Sequence, residues 1–106
     1  MMLVRSLFLG GALMMGGAAA HADTNVAMTQ FAFVPAKTDI AKGAKVVWTN
    51  QDTVPHSVTA DDGSFDSGPV LPGKFFTWTF ADAKSAEYHC IFHPSMVGSV
   101  VVKSKP

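Results

Sequence analysis

Residues 85–103 read SAEYHCIFHPSMVGSVVVK, two runs that suit β-strands on either side of a stretch that does not. The first run ends at Cys90. The second, VGSVVVK, is rich in valine, whose branched side chain packs well on a pleated surface. His93 and Met96 fall in the short loop between them. A thiol, an imidazole and a thioether therefore lie within one turn of chain, and Cys90 is the only cysteine of the 106 residues.

The same style of sequence recurs upstream. NVAMTQFAFVP, AKVVWTN, HSVTA and KFFTWTF are short runs rich in Val, Phe, Trp and Thr, punctuated by the turn formers AKG, NQD, DDGS and SGPVLPG. Phe76-Thr77-Trp78-Thr79-Phe80 alternates apolar and polar residues, the mark of a strand with one buried face. That places Phe76, Trp78 and Phe80 in the core, with Trp48 and Tyr88, and makes Met28 a packing residue of the first strand. FADAKSAEY is the only helix candidate and is short. Many short strands separated by frequent turns predict an all-β fold, an antiparallel Greek-key β-sandwich forming a single small domain.

Residues 1–22 read differently. Arg5 precedes an apolar run from Leu7 to Ala20, followed by the small-residue pattern Ala20-His21-Ala22. This is the grammar of an export signal cleaved after Ala22. The run is too short, and too rich in glycine, for a spanning helix of about 20 residues. The domain then occupies residues 23–106. Removing Arg5 from a chain of eight basic and eight acidic side chains leaves a net charge of −1. Such a balance favours neither nucleic acid nor an anionic membrane as partner. A lone thiol in an oxidising compartment forms no internal disulfide, so it is buried, paired with another chain, or held by a metal.

Thiolate and thioether are soft ligands that suit copper, and imidazole serves copper as well. Two histidines and a cysteine in one plane, with a weak axial methionine, make a blue-copper site. His93 is one of the histidines. His21 lies in the export segment, and strand alternation turns His89 away from Cys90, which leaves His56 as the other. The expected metal residues are His56, Cys90, His93 and Met96. Each has a plainer reading: Cys90 and Met96 as core filling, His93 as a surface histidine and His56 as a loop histidine. All four would have to hold at once, with only two methionines, Met28 and Met96, outside the export segment.

From Val26 to Lys103 the chain resembles the cupredoxin family, and the tight Cys-x-x-His-x-x-Met spacing is most similar to the amicyanin type. YHC before the loop, HP within it and Pro55-His56 carry the likeness. The resemblance implies a periplasmic one-electron carrier with one type 1 copper, working as a monomer. It also implies a dehydrogenase as donor and a c-type cytochrome as acceptor. His93 would be the electron port, ringed by Pro55, Leu71, Phe92 and Pro94. Two residues depart from the pattern. Ser57 follows the first histidine where an asparagine usually ties the ligand loops together, so a looser loop is expected. Phe92 stands where amicyanin-like loops have proline, and its N–H is expected to point at the thiolate. With four ligand positions filled, no position is open for a substrate, so an enzyme is not expected. A copper storage or delivery protein with the same ligands is the alternative.

Overall fold

A computed structural model of the chain describes residues 22–104; the segment read as an export signal lies outside these residues, apart from Ala22. Eight strands follow in order: β1 (Thr24–Thr29), β2 (Ala32–Val34), β3 (Lys37–Ala41), β4 (Lys45–Asn50), β5 (Thr59–Ala60), β6 (Phe75–Thr79), β7 (Ala86–Cys90) and β8 (His93–Lys103). They form two four-stranded sheets, ordered β2-β1-β4-β6 and β3-β8-β7-β5. The expected all-β sandwich is what the chain forms.

The sheets are mixed, however, and not wholly antiparallel. β1 runs parallel to β4, and β3 parallel to β8. After β2 the chain leaves the first sheet, adds β3 to the second, and returns as β4 beside β1. A crossover of that kind sets neighbours parallel. Local alternation reports which face of a strand is buried, not which strand lies beside it.

Inward residues of both sheets meet in one core. Val26, Met28, Phe33, Val46 and Trp48 face Val58, Tyr88, Cys90, Met96 and Val100, each at most 2% exposed. Burying an aliphatic or aromatic side chain of this size stabilises a domain by about 1.5–3 kcal/mol. Tyr88 is central: its ring packs edge-on against Phe33 at 4.7 Å and Trp48 at 5.3 Å. A Cβ on Gly98, its cross-strand partner, would stand 2.6 Å from Tyr88 Cζ, so the ring fills the space a side chain would need.

Two readings of the sequence are corrected here. Trp78 is not core but 38% exposed, because β6 is the edge strand of its sheet. And NVAMTQFAFVP is not one strand but a hairpin, β1 and β2 joined by Gln30 and Phe31. Both turn residues have left-handed backbones, with φ of 52° and 58°. A two-residue turn of this hand matches the twist of the strands and normally uses Asn-Gly. Non-glycine residues carry a strain there of roughly 1–2 kcal/mol each, so nothing in Gln-Phe announces a turn.

Candidate metal centre

The site forms at the end of the sandwich where β1, β4 and β7 finish and β8 begins. Along β7 the side chains alternate, so Ala86, Tyr88 and Cys90 point inward while His89 points out. His89 instead pairs with Asp61 at 2.6 Å on the surface. Ile91 and Phe92 alone turn the chain, and Cys90 pairs with His93 across the hairpin. The register then slips: His89 pairs with Val97, which leaves Pro94, Ser95 and Met96 without counterparts. The expected ligand loop is thus a two-residue turn followed by a bulge inside β8. Bulges commonly re-aim side chains beside functional sites.

The structure brings His56, Cys90 and His93 together, with one ligand atom from each inside a 4.8 Å cluster. Both imidazoles present Nδ1 to the sulfur, His56 at 3.6 Å and His93 at 3.9 Å. Cys90 and His56 are fully buried, and His93 is half-buried. Met96, expected as a fourth member, is 2% exposed within the bulge.

A layer of polar bonds holds the cluster. His56 exchanges both backbone hydrogen bonds with Val70, at 3.1 and 2.7 Å. Its Nε2 lies 2.8 Å from Asp52 Oδ2. An ionised carboxylate only accepts, so Nε2 carries a proton, and Nδ1 is the nitrogen that a neutral ring offers to a metal. Burial opposes the ionisation of Asp52. The Phe31 N–H, the His56 ring and the Gln30 N–H outweigh it and hold the carboxyl below its usual range. Asn50, fully buried at the end of β4, donates to the carbonyls of Val54 and Val70 and accepts from the Asp52 N–H.

Ser57 does not loosen the loop as expected. Its Oγ accepts from the Ile91 N–H at 2.9 Å and pairs with Thr59 Oγ1 at 2.9 Å, tying the His56 loop to the Cys90 hairpin. A short hydroxyl suffices because the two segments approach closely. Ser57 also supplies the N–H that reaches the cysteine sulfur, at 3.3 Å. Among the described residues that bond comes from Ser57 and not, as expected, from Phe92.

The cluster matches a known pattern. Residues 20–103 fit the family of copper binding proteins described as plastocyanin/azurin. The chain belongs to this family. Amicyanin from Paracoccus denitrificans is 35% identical over 66 residues, covering 58% of this chain and 50% of its own length. Amicyanin-alpha from Methylorubrum extorquens is 31% identical over 85 residues, covering 76% of this chain and 71% of its own. The chain thus spans only 50% and 63% of the two Paracoccus amicyanins, from P. denitrificans and P. versutus. Among solved structures, a purple cupredoxin from Nitrosopumilus maritimus superposes with a TM-score of 0.70 at 29% identity, over 76% of this chain and 100% of its own. A Cu(I) amicyanin variant gives 0.72 at 25% identity, over 79% and 85%. This is a cupredoxin most like amicyanin, and its cofactor is one copper. A buried thiol flanked by two imidazole nitrogens is a donor set that fits that ion.

Asp52, Asn50 and Phe31 were not legible as site residues. Asp52 stands four residues before His56 in a stretch that reads only as a turn. Phe31 sits in the unannounced hairpin, yet its ring lies edge-on to His93 at 4.8 Å and to His56 at 5.6 Å.

Proposed function

We propose that the protein is a one-electron carrier of the periplasm with a type 1 copper site. In this reading His56, Cys90 and His93 are the strong ligands and Met96 the weak axial one. Residues 1–22 direct export, and residues 23–106 work as a monomer between a dehydrogenase and a c-type cytochrome. The observation that carries it is the packing of three ligand atoms, from two distant segments, within 4.8 Å of one another.

When bound, copper supplies a one-electron couple whose two states prefer different geometries, so a protein that holds its ligands still keeps the reorganisation small. The residues of this chain serve that end. The paired bonds to Val70 fix the His56 backbone, and Asp52 fixes its ring. The Ser57 N–H draws charge from the sulfur, which favours the reduced state. Trp48 and Tyr88, at most 1% exposed, keep the interior behind the cysteine dry. His93 is the ligand nearest solvent, and Phe31, Leu71 and Phe92 are exposed apolar side chains on its end of the sandwich. An apolar rim of this kind suits brief, small-area docking of redox partners.

The test is a spectrum. One equivalent of Cu(II) should give an intense visible band from thiolate charge transfer, bleached by ascorbate and absent in Cys90→Ser. Met96→Leu should keep a coloured site at a higher potential. Copper that binds without colour would overturn the carrier reading in favour of storage or delivery.

A further inference from the structure

The Asp52 carboxylate has three partners drawn from two places in the chain. Oδ1 accepts from the Gln30 N–H at 2.7 Å, and Oδ2 from the Phe31 N–H at 3.0 Å and from His56 Nε2 at 2.8 Å. Its side chain is 13% exposed, and its own N–H is held by Asn50. The two amides belong to the left-handed Gln30-Phe31 turn. Strained backbone of this kind persists where surrounding bonds over-determine it, and it clusters at functional sites. Burial does not explain the strain, because Phe31 is 53% exposed. What the conformation achieves is contact: the ring stands at 76° to the His93 imidazole, 4.8 Å away, while also touching His56. His93 is the least buried member of the cluster, and so the one with room to rotate.

We infer that Asp52 is a positioning residue, which holds the Gln30-Phe31 turn so that the Phe31 ring braces His93 in its ligating rotamer. The inference rests on the reading of His93 as a ligand. One carboxylate thereby sets both imidazoles, His56 directly and His93 through Phe31. The ring acts as a stop, because it stands 4.8 Å from the His93 ring and nearly perpendicular to it.

Two variants separate the parts. Asp52→Asn has one acceptor oxygen where the turn and His56 need two, so the turn should loosen. Phe31→Gly keeps the turn, since glycine adopts a positive φ freely, but removes the ring. In the apo protein, NMR relaxation of the His93 Cε1–Hε1 pair should show exchange broadening in both variants and not in the parent. The Gln30 and Phe31 amides should exchange with solvent about tenfold faster in Asp52→Asn, as expected for one lost hydrogen bond. The Gln30 amide should stay protected in Phe31→Gly. In the copper-loaded protein, a Cu(I) chelator should strip the metal up to about tenfold faster from both, the scale of one lost aromatic contact. Phe31→Tyr should restore parental values on every readout. A Phe31→Gly protein with a still His93 ring and a parental stripping rate overturns the inference, even if Asp52→Asn fails to fold. Failure of the ligand reading itself would look different: the parent protein would lack the thiolate band.

Discussion

At the end of the sandwich where β1, β4 and β7 finish, polar side chains are buried and hydrogen-bonded to backbone groups and to neighbouring side chains. Asn50, His56 and Ser57 are fully buried, and the Asp52 side chain is 13% exposed. At the opposite end, backbone pairs do the closing, with the Gly43 N–H on the Phe80 carbonyl at 2.7 Å and the Lys42 N–H on that of Lys103 at 3.1 Å. Side chains there face water: Lys84 meets Asp62 at 3.1 Å with 69% and 41% of their surfaces exposed. The difference follows from what each end must hold. A surface turn needs only its own backbone satisfied, and exposed ion pairs contribute little. A set of metal donors must be fixed in three dimensions before the metal arrives, and a buried network of directional bonds does that.

The largest effect that could break this comparison is copper itself. A ligand bound only by the native state stabilises it by about 4 kcal/mol at a thousandfold excess over Kd. In a domain of this size that corresponds to a rise in Tm of about 15–30 °C. Calorimetry of the apo and loaded forms measures it. Equal melting would mean that the site end is not built around a metal.

Asn50→Ala sharpens the comparison without copper. It leaves the Val54 carbonyl and the Asp52 N–H without their partner and takes one of two donors from the Val70 carbonyl, which keeps the His56 N–H. Each buried unsatisfied group costs roughly 1–3 kcal/mol, so a loss of about 2–4 kcal/mol is expected in urea unfolding of the apo protein. A loss below about 1 kcal/mol would show that water replaces the network easily.

The smallest effect belongs to the other end. Ser64, by side chain and N–H, and then Lys84 hold the Asp62 carboxyl at about 2, against an ordinary 3.8. Because the folded value is depressed, the contribution is fully present above pH 3.8 and is lost as pH falls toward 2. The group is exposed and screened, so Asp62→Asn should shift neutral-pH melting only slightly, and less still in high salt. A shift as large as that of Asn50→Ala would erase the distinction between the two ends.

The sequence by itself determined the strand-rich character of the chain, the inward face of β7 and the chemistry of the donors. Period-two alternation is a local property, so Tyr88 and Cys90 could be assigned inward and His89 outward without knowing any neighbour. The soft and borderline character of thiol and imidazole is intrinsic to the side chains, so Cys90 with His93 pointed to copper at once. Partners at long separation were another matter. Whether β1 lies beside β4 and runs parallel to it depends on how the chain crosses between sheets, and that is settled by packing of the whole core. The exposure of Trp78 depends on β6 lying at an edge. The Gln30-Phe31 turn has no glycine or asparagine to signal it, because Asp52, more than twenty residues away, supplies the acceptors that hold it. Ser57 looked like a weakened tie until the Ile91 N–H was seen at hydrogen-bond distance. A residue type states what it can bond to; only the tertiary structure decides which donors and acceptors come within three ångströms of it.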